Sequence, residues 1–178
     1  NQVQDLSTFN QDQSIYLRFT VLFQFSVNII VPLWAVYFLR DIKFSYVEYS
    51  YILASGNLIG IVSHYYWGRF IDRYRSKLAA ILGGWILVFL PILWYVLFYI
   101  PSGFQLIYSI VLFSIASFAS SGANLGLNNW ILDIHEDKDV VPFSTRMVRY
   151  RGVAIFLGGI TGGGLTMLDV PISNPIIP

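Results

Sequence analysis

Gly68-Arg69-Phe70-Ile71-Asp72-Arg73-Tyr74-Arg75-Ser76-Lys77 is the densest run of charge in a chain that is otherwise mostly apolar. An apolar run over residues 46–67 precedes it, and another over 78–100 follows. A helix needs about 20 apolar residues to cross a bilayer. The stretch therefore reads as a short basic loop joining two membrane helices. Four of its ten residues are Arg or Lys, and short loops of that kind stay on the cytoplasmic side. Every other loop takes its side from this one.

Composition agrees. Of 178 residues, 56% are hydrophobic and 12% charged, with a mean hydropathy of +0.61. Soluble domains carry about 25% charged residues. The class is thus an all-α, multi-pass membrane protein whose first partner is the lipid bilayer. A net charge of +1 with no basic tail points to no nucleic-acid partner. Cysteine is absent, which excludes disulfides and thiolate chemistry. With Asn1 at the start and an apolar, Pro-rich tail over 171–178, the chain is expected to be a fragment of a longer protein.

Outward from the basic loop, five helices are expected, over about residues 16–39, 45–67, 78–100, 104–132 and 147–168. Residues 1–15 are polar and read as a cytoplasmic linker; residues 169–178 read as a truncated outer loop. In the first helix Thr20, Gln24 and Asn28 recur every four residues and share a face, and Pro32 interrupts the helix. In the second, Gly56 and Gly60 form a G-x-x-x-G that admits another helix closely. His64 stands among Tyr65, Tyr66 and Trp67, and is expected to be an interfacial residue bonded to backbone or headgroups. The third helix is almost free of polar side chains and belongs at the lipid-facing periphery.

The fourth helix differs. Ser114, Ser117, Ser121, Asn124 and Asn128 recur at alternating steps of three and four, one polar stripe along a membrane helix. Amides facing lipid are costly, so the stripe is expected to line a water-filled cavity in preference to dry packing. The fifth helix carries Gly158, Gly159, Gly162 and Gly163, residues that membrane helices use for tight contact. Between these two helices His135 stands beside Glu136, Asp137 and Asp139. The acids are consecutive and no second His is near, so no metal or cofactor is expected.

The five-helix count puts Arg18, Arg69, Arg73, Arg75, Lys77, Lys138, Arg146, Arg149 and Arg151 on one side, leaving Arg40 and Lys43 on the other. That asymmetry supports a cytoplasmic N-terminus and a cytoplasmic 68–77 loop in a cell-membrane protein.

Gly68, Asp72, Arg73, Tyr74 and Lys77 resemble the loop signature G-x-x-x-D-[RK]-[FY]-G-[RK]-[RK] of the major facilitator superfamily of secondary transporters. Arg75 stands where that signature has Gly, and Ser76 where it has a basic residue. The stretch from Asn129 through Asp133 to Arg146, and then Gly158 to Gly163, is similar to the end of the family's fourth or tenth helix and the glycine-rich helix after it. Gly159 replaces a Pro of the family's glycine motif.

The resemblance implies one incomplete six-helix bundle of the major facilitator fold, helices seven to eleven, with a missing N-terminal half as partner. It also implies that the first and fourth helices line the cavity, so that Gln24, Asn28, Ser117, Ser121, Asn124 and Asn128 meet a small-molecule solute. Gly68, Asp72, Arg73, Lys77 and Asp133 would form a cytoplasmic gating device, with a basic residue of the loop facing Asp133.

The function expected is alternating-access transport of a small solute. A structural or channel-forming membrane subunit is the alternative. A membrane enzyme would need His, Asp or Glu clustered at a helix end, and the sequence offers scattered single residues.

Overall fold

The computed structural model describes residues 11–133 and 140–167. Residues 1–10, the 134–139 stretch with His135 and its acids, and the 168–178 tail lie outside the described residues. Five helices follow one another: α1 (Gln11–Val36), α2 (Tyr46–Tyr74), α3 (Ser76–Val96), α4 (Ser102–Asp133) and α5 (Val140–Met167). Among the described residues there is no strand. Among the described residues, three helical segments are long and apolar enough to cross a membrane: Gln11–Asp41, Ser76–Tyr99 and Ser102–Asp133.

α2 and α5 do not join them on composition. At 29 and 28 residues each extends about 40 Å, more than a hydrocarbon core of about 30 Å. Polar residues dilute them: Ser55, Asn57, Ser63 and His64 in α2, and the glycines together with Arg146, Arg149 and Arg151 in α5. The expectation of five spans thus meets three by length and apolarity.

The charged stretch is not a loop. α2 runs unbroken through Gly68, Arg69, Asp72 and Arg73 to Tyr74, and α3 begins at Ser76. Only Arg75 lies between them. A charged turn is no obstacle to a helix once it leaves hydrocarbon, so the end of the apolar run was not the end of the helix. The same reason moves two other boundaries. α1 begins at Gln11, inside the expected linker, and α5 begins at Val140, well before residue 147.

The reversal at Arg75 has a backbone cost. Its φ of 100° and ψ of 146° lie in a region that suits glycine and costs other residues about 1–3 kcal/mol. Arg75→Gly should therefore raise the apparent melting temperature of the purified protein, by an amount corresponding to about 1 kcal/mol after glycine's greater unfolded-state entropy is counted. Arg75→Ala removes the charge but not the strain and should give no such gain. Equal gains in both would trace the effect to charge.

Pro32 does not interrupt α1 as expected; it lies inside the helix. The helix ends instead in a π-helical turn, Tyr37–Asp41, closed by Ile42 N–H donating to the Tyr37 carbonyl at 3.0 Å. α3 ends in a 3-10 turn, Leu97–Tyr99, after which Ile100 is extended at φ −85°, ψ 132°. Pro101 follows, and the residue before a proline is pushed out of the helical region. The Tyr108 hydroxyl donates to the Leu93 carbonyl at 2.9 Å, near the frayed end of α3.

The described residues fall into two compact units, one drawn from 46–142 and the other from 1–45 and 143–178. In the first, α4 is flanked by α2 and α3. α3 and α4 are antiparallel and touch backbone to backbone. A Cβ at Gly83 would lie 2.5 Å from the Ala119 carbonyl oxygen and from the Ala123 nitrogen. One at Gly126 would meet the Ala80 nitrogen and lie 2.8 Å from the Ser76 carbonyl oxygen.

α2 and α4 run parallel. Gly56 faces the Phe113 ring and Ser117, and the Trp67 indole covers Gly122 while donating to the Phe118 carbonyl at 2.8 Å. In the second unit α1 and α5 run parallel, with Gly158 against the Phe25 carbonyl and Gly162 against that of Ile29. Tyr16 and Phe143 extend this contact, their ring centres 6.0 Å apart.

Candidate functional site

Three groups of residues carry the functional expectations: the polar stripe of α4, that of α1, and the basic junction. Along α4 the stripe divides. The Ser121 hydroxyl donates to the Gly60 carbonyl of α2 at 3.4 Å, and a Cβ at Gly56 would lie 2.7 Å from the Ser117 hydroxyl. Ser117 and Ser121 therefore belong to the α2–α4 seam. Small hydroxyl residues opposite glycines are what let two helices approach.

One and two turns further on the surroundings change. Asn124 is half-buried, and its amide donates to the Ser120 carbonyl at 2.9 Å and reaches the Ser120 hydroxyl at 3.3 Å. Asn128 is exposed. Asn129 donates to the Leu125 carbonyl at 2.9 Å, tying its amide to its own helix.

In the other unit, Tyr16, Thr20 and Gln24 are the buried residues of α1. Asn28 continues their line. Its amide donates to the Gln24 carbonyl at 2.7 Å, and its Cβ is among the atoms a side chain at Gly158 would touch. The four-residue spacing thus marks the buried face of α1.

Of the four glycines expected to pack, Gly158 and Gly162 meet α1 backbone. Gly159 and Gly163 have open space where a side chain would go. Close approach follows the i, i+4 pair, because neighbouring residues on a helix point about 100° apart.

At the basic junction, Gly68 lies mid-helix with open space around it, and Asp72 is exposed in the last turns of α2. The Arg69 guanidinium lies 5.1 Å from the centre of the Tyr65 ring and donates to its hydroxyl at 2.8 Å. Arg73 lies 5.4 Å from the Tyr74 ring centre. Lys77, in the first turn of α3, reaches α4 but rests over Trp130, 5.2 Å from its ring centre. Asp133 is exposed at the end of α4. Among the described residues neither Asp72 nor Asp133 forms an ion pair. Lys77 meets an aromatic face one turn before Asp133, which attracts a cation through its electron-rich surface.

Residue spacing does not point to the Lys77–Trp130 contact or the Trp67–Phe118 bond. Trp67 does carry a usable signal, an indole following a G-x-x-x-G at the end of an apolar run. His64 is exposed, with Nδ1 2.6 Å from the Gly60 carbonyl. That carbonyl also accepts from the Ser63 and Ser121 hydroxyls. Among the described residues, no three His, Asp or Glu side chains are placed to share a metal ion.

No protein-family model, no curated protein and no solved structure matches the chain.

Proposed function

We propose that the chain is part of a secondary transporter of the major facilitator type, moving a small solute across the cell membrane by alternating access. In this reading α2 and α5 cross the bilayer with the three apolar helices, and the charged end of α2 faces the cytoplasm. The observation that carries it is Arg75. The signature resembled by residues 68–77 has glycine at that position, and here the backbone takes a conformation that glycine suits.

In the α4 unit, solute recognition is assigned to the neutral amides of Asn124 and Asn128. Asp72 would bias one conformational state from the cytoplasmic end of α2. No Asp or Glu lies near the middle of α1 to α5, so proton coupling, if the transporter uses it, resides elsewhere in the protein.

The test is uptake of a panel of labelled solutes by the full-length protein in proteoliposomes. Asn124→Leu should raise the half-saturating concentration about tenfold, the size of one lost hydrogen bond. The pH dependence of uptake should survive His64→Ala. Ionic currents without solute-dependent uptake would favour the second reading, a structural or channel-forming subunit. One observation favours that reading: Ser117 and Ser121 serve a helix seam.

A further inference from the structure

One face of α2 changes chemistry in order along its length. Leu58, Val62, Tyr65, Arg69 and Arg73 follow at steps of four, three, four and four, which keeps them on one side of a helix. All five are exposed, the first three by 65%, 54% and 60%. From the first to the fourth the helix rises about 16 Å. The face therefore begins as hydrocarbon, passes through a phenol and ends in two guanidinium groups.

We propose that this face is a binding site for one anionic phospholipid. Its acyl chains would lie along Leu58 and Val62, and its phosphate would sit between Arg69 and Arg73. A lipid is the ligand whose own chemistry changes in the same order over that length. Tyr65 positions the cation, with its ring under the Arg69 guanidinium and its oxygen accepting one N–H. A guanidinium has five N–H donors, so most of the fork remains for phosphate oxygens, which it binds in a bidentate manner. Lys77 is turned away onto Trp130 of α4 and is not part of the site. Asp72 is the one acid of the 68–77 stretch, which leaves the junction net positive. The site requires α2 to span the bilayer but not that the protein transport anything.

Native mass spectrometry of the full-length protein in detergent, titrated with phosphatidylglycerol or phosphatidylcholine, tests it. The wild type should bind phosphatidylglycerol in preference. Arg69→Gln should weaken that binding about fivefold and the Arg69→Gln/Arg73→Gln pair about 25-fold, the size of losing one and then two hydrogen-bonding contacts of about 1 kcal/mol each. Tyr65→Phe, which keeps the ring but frees the guanidinium, gives a smaller loss and serves if the double variant fails to fold. Arg18→Gln/Arg149→Gln, the same charge change elsewhere, should leave the preference intact. Glycerol phosphate at millimolar concentration should not displace the lipid.

Equal binding of the two lipids by the wild type would overturn the proposal. So would equal losses in the two double variants, which mean diffuse charge attraction, or displacement by glycerol phosphate, which means a soluble-anion site. Lipid binding is read without any transport assay, so its failure and that of the transport reading are separable.

Discussion

Gly83→Leu should leave no monodisperse folded protein after extraction, whereas Gly68→Ala in the neighbouring helix should be neutral or slightly stabilising. At Gly83 the atoms within reach of a new Cβ are backbone: the Ala119 carbonyl oxygen and Ala123 nitrogen at 2.5 Å and the Ala123 Cα at 3.0 Å. Backbone cannot rotate aside as a side-chain tip can, so α3 and α4 must separate along the seam. Gly126 sits in the same seam against Ser76 and Ala80, so separation at one point loosens the other.

Lipid tails are as apolar as the side chains, so helices in a membrane are held by close packing and not by exclusion from water. Overpacking of a well-filled interior costs about 1–3 kcal/mol, and a clash between backbones falls at or above the upper end of that range. Gly68 meets no atom within 4 Å, and alanine there gains up to about 1 kcal/mol in helix propensity. Size-exclusion profiles and thermal melts of the two variants check both halves. A Gly83→Leu protein that melts like wild type would mean that α3 and α4 do not meet there.

The second large effect separates two adjacent residues. Gly162→Leu should abolish stable protein or lower its melting temperature by several degrees, and Gly163→Leu should be tolerated. Gly162 lies against the Ile29 carbonyl, carbonyl carbon and Cα of α1, while Gly163 opens onto free space. Composition is unchanged between the two variants, so helix propensity cancels and contact alone is compared. Similar melts for both would show that α1 and α5 are not in contact at that level.

What could be read before the structure follows from what hydropathy measures. It locates hydrocarbon, and it found α1, α3 and α4 because their apolar runs exceed the bilayer. It does not locate helix ends. Gly68 to Tyr74 read as loop because they are charged, yet the backbone there is satisfied by the same helical hydrogen bonds as in the apolar turns. Pro32 read as an interruption, but a helix loses one hydrogen bond at a proline and can continue.

The α4 stripe shows the limit of periodicity. Spacing put Ser117, Ser121 and Asn124 on one face without saying what stands opposite. Opposite the two serines stand Gly56 and Gly60; that pairing could have been suspected, since a G-x-x-x-G and a run of serines are complementary surfaces. The glycines of α5 divide for a related reason. Gly158 and Gly162 share a face, Gly159 and Gly163 share the next one, and composition alone cannot rank two faces of equal smallness.

The single residue between α2 and α3 bears on how the chain enters a membrane. α2 is too polar to partition well by itself, while α3 is strongly apolar. In the proposed reading, in which α2 crosses the bilayer, the single residue Arg75 makes α2 and α3 one helical hairpin to be inserted together. The apolar α3 would then offset the reluctance of α2, and polar groups such as Asn57 and Ser63 would enter with it. α2 would thereby carry side chains that a solitary segment of its length would not bring into lipid.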